Sequence, residues 1–399
     1  MSSTRSNARF AMRLAAASLS LASACRGAGS GSEEQRIYLV TRKVESGSIS
    51  FPVRSFAVDS LTGSLADVHA AVNLGGEVQS TSFPMMPHPS APFLIVHGRQ
   101  ELRLLRIEDS GDLTLVPKKE TPFPFATFVD GTFLLSPKRN LFYFLLPGSG
   151  GVATGPGSAS IPTGMFVARV GDGESAPFFE KLATTHSTGC DGFAAALDPS
   201  EQLLFCSADS GKAVKVLDAA DYTGAFGLVS EQRASERVRR IVTHPGGALF
   251  YTLSGAPIPL RTDWDQAWIS GFRKTTVGGR LTPATRAYVP LNSWIVDIAV
   301  TPDGRFLYAL DRKMHRVHGF IIGTEGELVP MPGFFRTSPV PVLLRADPMG
   351  RFLYVGSEGG ADLAVYTIGT SGELIPVGSP IPVDGVPISL AFRGGRATD

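Results

Sequence analysis

Cysteine, histidine and tryptophan are scarce in this 399-residue chain, at 3, 7 and 3 copies, and no Cys and His cluster has the spacing of a metal centre, so no metal is expected. Charged residues reach only 18%, with 37 Lys and Arg against 36 Asp and Glu, spread evenly. A duplex-binding surface requires clustered cations that displace counterions, so nucleic acid is excluded as a partner. No serine stands in a nucleophile-elbow motif, and the 148–151 glycine run opens no helical pattern, so it is no phosphate loop. The acidic turns at 109–112 and 172–174 fall short of a calcium loop. No cofactor is called for. Beyond the N-terminus, no stretch approaches the ~18 uninterrupted apolar residues of a membrane helix.

What is abundant is punctuation. Forty-four glycines and 29 prolines, with 43% apolar residues, exclude a disordered chain and favour many short strands joined by turns. The first 24 residues carry Arg5, Arg9 and Arg13 and no acid, then an apolar run of 11 residues from Leu14 to Ala24. That run is too short to span the ~30 Å hydrocarbon core and reads as a removable signal peptide. The segment Leu21-Ala22-Ser23-Ala24-Cys25 resembles the bacterial lipoprotein box, which implies lipidation of Cys25 and export to the bacterial cell envelope, with the membrane touched only through the anchor. Residues 25–35, rich in Gly and Ser, are then a flexible tether, 36–393 one folded domain, and 394–399 a tail.

Two repeats run along the domain. A glycine followed by a variable and usually an apolar residue recurs at Gly63, Gly111, Gly173, Gly224, Gly279, Gly326 and Gly372, spaced 46 to 62 residues apart. An X-Pro step followed by an aromatic-rich strand recurs six times, at Pro89, Pro137, Pro199, Pro245, Pro302 and Pro348. Each unit reads as four antiparallel strands; in the fifth these are 294–301, 306–310, 317–322 and 327–331. Four such strands cannot bury their faces alone, so the sheets must stack, and radial stacking makes an all-β propeller. The X-Pro copy missing from the count is explained if segments 36–41, 49–59 and 64–68 join 386–392 in a shared closing blade, the seventh. Closure of that kind leaves only short edges exposed.

The stretch from Asp347 through Gly-Arg-Phe-Leu-Tyr-Val-Gly to Gly372-Glu-Leu-Ile-Pro-Val377 resembles one repeat of the lactonase-like seven-bladed propellers, a group with the bacterial 6-phosphogluconolactonases, fungal carboxymuconate cyclases and YVTN-repeat surface proteins. The resemblance runs from about residue 35 to 393. It implies a His near the start of one strand one, with an Arg and a Glu in the next blade. Here the His pair falls on Asp191 and Phe193, the Arg on Arg239 beside Arg240, and the Glu on Gly255. Lactone chemistry needs a proton carrier within hydrogen-bond reach, and an Arg is not one near neutral pH. The expectation is therefore a binding module for a small molecule, sugar or anionic, or for a protein. A lactone hydrolase or cyclase, with Arg239 as its one catalytic candidate, and a structural envelope protein are the alternatives.

The connections from strand four to strand one and from strand two to strand three share one face, the expected channel mouth. Arg239, Arg240, Asp191, Trp264, Trp268, Trp294, Asp311 and Arg312 are the ligand candidates there, accompanied by His97, Arg99, Asp209, Asp263, Asp265 and Glu358. Trp264 and Trp268 belong to an insertion that serves as a ligand platform or as a lid on its own blade. Cys190 and Cys206 stand at one end of adjacent strands and are a candidate disulfide. His88 and His244 read as turn residues. A monomer is expected.

Overall fold

The computed structural model describes residues 35–67, 71–74, 85–97, 102–117, 132–146, 164–171, 178–186, 188–220, 226–234, 236–255, 267–275, 280–288 and 293–394. The expected signal peptide, Cys25, Trp264, Asp263, Asp265 and Arg99, and the repeat glycines Gly173, Gly224 and Gly279, lie outside them.

Six consecutive sheets are each four antiparallel strands in chain order. Blade one holds Met85–Pro87, Phe93–His97, Leu102–Ile107 and Leu113–Leu115; blade two begins at Thr132–Ser136, blade three at Cys190–Leu197, blade four at Val238–Thr243, blade five at Ile295–Val300 and blade six at Pro341–Ala346. Blades five and six each carry a short fifth strand, Phe335–Arg336 and Ile381–Pro382. The seventh sheet joins both chain ends: Val386–Arg393 pairs with Arg36–Glu45, with Leu39 opposite Leu390 and Ile37 opposite Phe392. Arg36–Glu45 then pairs with Pro52–Val58, and that strand with Leu65–Asp67. The expected strand over 49–59 is divided at Phe51, because Ser48–Ser50 pairs with the outer part of Arg36–Glu45 across a Ser46-Gly47 turn.

Packing closes the ring. Among the described residues there are seven hydrophobic clusters, and each is built from two neighbouring blades. Leu390 belongs to the seam between blades six and seven, and Ala391 to the one between seven and one. Strands buried on both faces need no hydrophobic alternation, which is why strand two of blade five reads Phe-Leu-Tyr-Ala-Leu-Asp and is buried throughout.

The two repeated motifs have separate jobs. In the X-Pro step the residue before proline accepts a hydrogen bond from the backbone N–H three residues on, from Gly247 to His244, Gly304 to Thr301 and Gly350 to Asp347, with Pro at the second turn position. The repeat glycine is a seam residue. At Gly372 φ is +89° and a Cβ would lie 2.7 Å from Phe306 Cδ1 of the preceding blade, so both backbone and space require glycine. The Gly372 carbonyl accepts a 2.8 Å hydrogen bond from the Tyr308 hydroxyl, and Gly326 receives Tyr251 likewise at 3.2 Å. Burial raises both phenols, Tyr251 to about 12. His88 and His244 sit in their turns, each Nδ1 accepting from a following backbone amide.

Candidate functional site

Strand one of every blade lines the axis. In blades four, five and six this strand carries a bulge near its start, where Arg239, Val296 and Val342 are the unpaired extra residues. A bulge re-aims the side chains beside it. Arg240 and Asp297 occupy the same register position in adjacent blades, opposite Leu253 and Leu310.

Asp297 is the hub of the resulting cluster. Its Oδ1 lies 3.2 Å from Arg240 Nε and accepts the Ile298 N–H at 3.0 Å. Its Oδ2 accepts from Arg345 Nη1 at 2.6 Å and from the Leu344 N–H at 3.3 Å. Three of those contacts are hydrogen bonds and the one to Arg240 is an ion pair, so Asp297 orients two guanidiniums and the start of blade six. Arg239 reaches the Ile295 carbonyl through Nη2 at 2.9 Å, while its Nε is buried with no hydrogen-bond partner. Burial pulls Arg239 down to about 10 against the pull of Asp297, which leaves it cationic at neutral pH. The charge of Asp297 raises Arg240, but burial and the like charge of Arg345 outweigh it, and the net displacement is downward. Three guanidiniums against one carboxylate leave this cluster positive.

Arg240 and Arg345 line a cavity of about 570 Å³ bounded by the strand-one segments of blades two to six. Pro137, Pro199, Pro302 and Pro348 form its rim. The cavity therefore opens at the X-Pro end of the ring, opposite the loops on which the sequence places the mouth. Arg240 stands where the two readings meet.

The remaining candidates are dispersed. Asp311 is fully buried: it accepts the Trp294 and Met314 N–H groups at 3.1 Å, Arg316 Nε at 3.2 Å and His318 Nε2 at 3.3 Å. Burial alone would raise its carboxyl, yet His318, Ser293 and the two amides hold it at about 2. Asp191 is spent likewise on Ser207 Oγ and the Gly211 and Phe193 amides. Both acids pin loops and present no oxygen to a ligand. Arg312 pairs with Glu358 at 2.5 Å across two blades and lies over the Trp294 ring at 5.3 Å. Asp209 faces Arg233 on the surface. Trp268 opens the third strand of blade four, half-buried. Phe193 lies under Arg237 at 4.8 Å, and Gly255 is buried. Cys190 and Cys206 are joined as a disulfide with their Cα atoms 5.8 Å apart. Among the described residues no metal-holding group of acids, His or Cys occurs.

Sequence reasoning missed Asp297 and Arg345. Each is the single charged residue in an otherwise apolar strand one, Ile-Val-Asp-Ile-Ala-Val and Pro-Val-Leu-Leu-Arg-Ala, and that exception was the available signal.

Residues 275–390 match the family model described as lactonase, 7-bladed beta-propeller. The fold is a seven-bladed propeller, and over those residues it is similar to the lactonase family. A 6-phosphogluconolactonase of Enterobacter sp. strain 638 is 28% identical over 70% of this chain and 77% of its own length. One from Klebsiella pneumoniae strain 342 is 24% identical over 68% and 74%. Among solved structures, the Pseudomonas aeruginosa periplasmic gluconolactonase superposes with a TM-score of 0.65 at 16% identity, covering 90% of this chain and 99% of that one. A Lactobacillus plantarum protein reaches 0.66 at 15% identity, over 90% and 99%. At such identities the two structures speak for the fold alone.

Proposed function

We propose that this propeller is an exported binding module that captures a small anionic molecule in its central channel, held at the bacterial envelope by a lipid on Cys25. The observation that carries the reading is the positive cluster of Arg239, Arg240 and Arg345 around one carboxylate. Arginine forks suit carboxylates and phosphates, and Asp297, held by three hydrogen bonds and the Arg240 ion pair, is a charged anchor for the forks in this reading and not a proton carrier. The disulfide of blade three suits an oxidising compartment.

Lactone hydrolysis is the second reading, favoured by the names of the relatives. Incubation with glucono-δ-lactone and 6-phosphogluconolactone, followed by acid release in a pH-stat, separates the two. The expected result is no rate above spontaneous hydrolysis. Turnover that vanishes in a folded Arg240→Ala variant would install the hydrolase in its place. For the anchor, Cys25→Ser is expected to move the protein from the membrane fraction to the soluble one, and unchanged membrane retention would remove the anchor from the reading.

A further inference from the structure

We infer that the anion is a small monocarboxylate with an apolar body, entering the channel from the X-Pro end of the ring. This rests on the reading that the channel takes an anion, and it specifies what else that anion carries.

The donors for such a group are in place. Arg240 meets Asp297 through Nε, and Arg345 through Nη1. The terminal amino groups of Arg240, and Nε and Nη2 of Arg345, make no hydrogen bond to the described residues. The side chains are 40% and 27% exposed, on the wall of the cavity. Asp297 thus holds two forks at fixed angles with their outer donors free, a preorganised arrangement for one carboxylate.

The rest of the wall argues against a polyhydroxylated acid. Leu134, Ala195, Val242 and Ala299, each partly exposed, supply its apolar part, while Ile298 and Leu344 are sealed in the seams behind it. The other polar side chains on the wall are already committed: Thr132 Oγ1 donates to the Gly192 carbonyl and Thr243 Oγ1 to that of Leu197. Glu201 takes Ser136 Oγ, Asp198 and Asp347 Oδ1 take backbone amides of their own turns, and Asp347 Oδ2, without a hydrogen-bond partner, is buried away from the opening. What remains is the inner backbone edge of each strand one. Along a strand the outward-facing N–H and C=O groups recur only every second residue, about 6.8 Å apart. Hydroxyls on adjacent carbons cannot all be matched at that interval, and each one left unpaired in the channel weakens binding. An alkyl or aryl body needs no such partners and gains from leaving water.

The test is calorimetric titration of the whole purified protein with hexanoate, gluconate and the neutral hexanamide. Hexanoate is expected to bind at least tenfold more tightly than gluconate, with hexanamide silent and Arg345→Gln weakening hexanoate at least tenfold. Gluconate binding as tightly as hexanoate would overturn this inference and leave the anion reading standing. Hexanamide binding equally well, or no carboxylate binding at all, would overturn both. Should Arg345→Gln fail to fold, Arg240→Gln removes the other, more exposed fork and leaves the Asp297–Arg345 contact in place. It is expected to abolish hexanoate binding with the melting temperature retained, and binding that persists in it would overturn the site.

Discussion

Deletion of residues 386–399 is expected to leave a chain that accumulates as aggregate and shows no cooperative thermal transition by circular dichroism. Val386–Arg393 is the innermost strand of the closing blade and pairs along Arg36 to Arg42. Leu390 and Ala391 serve different seams, so its loss opens two interfaces at once and bares the ladder edge of Arg36–Glu45. A domain of this kind is stable by only about 5–15 kcal/mol, and losing two of seven interfaces exceeds that margin. The graded version is Leu390→Ala, expected to cost about 2–5 kcal/mol with the fold retained. A soluble truncated protein melting at the wild-type temperature would show that ring closure contributes little.

Replacing Asp311 with alanine is expected to destabilise the propeller by about 3–5 kcal/mol, as removal of one partner from a buried ionic network does. The change strands Arg316, His318 and the two loop amides that converge on the carboxylate. The same site has a pH signature. Its folded value of about 2 lies below the ordinary ~3.9 of aspartate. The stabilisation is therefore complete above about pH 4 and is lost as pH falls through about 2, a change of roughly 2.5 kcal/mol at most. Denaturant midpoints measured between pH 5 and pH 2 should fall more steeply for wild type than for Asp311→Asn. Parallel slopes would mean that another group controls acid stability.

How much of this was legible beforehand differs between scaffold and site. The scaffold is written as punctuation: proline at the second turn position and glycine at a left-handed seam are requirements of backbone geometry, so they recur in sequence wherever the geometry recurs. The absent seventh X-Pro copy followed from the closing strand being at the other chain end. The site is not periodic. Asp311 and Asp191 look like ligand groups in a linear reading because loop acids usually face water, and only the fold reveals that backbone amides surround them. Asp297 and Arg345 lie 48 residues apart on strands that otherwise read as core, and nothing local says that they meet. The cavity opens at the turn end because strand-one side chains, and not the long loops, define its described wall.

The double-sided burial of strand two carries a consequence for how the molecule distributes mutational damage. In blade five, Phe306, Tyr308 and Leu310 enter the seam with blade six, while Leu307 and Ala309 enter the seam with blade four. Immediate neighbours along the chain thus answer to different interfaces, whereas Tyr308 and Leu353, on separate blades, share one. Energetic coupling then follows the parity of a position rather than its petal: Leu307 and Tyr308 behave as near strangers, and Tyr308 and Leu353 as partners.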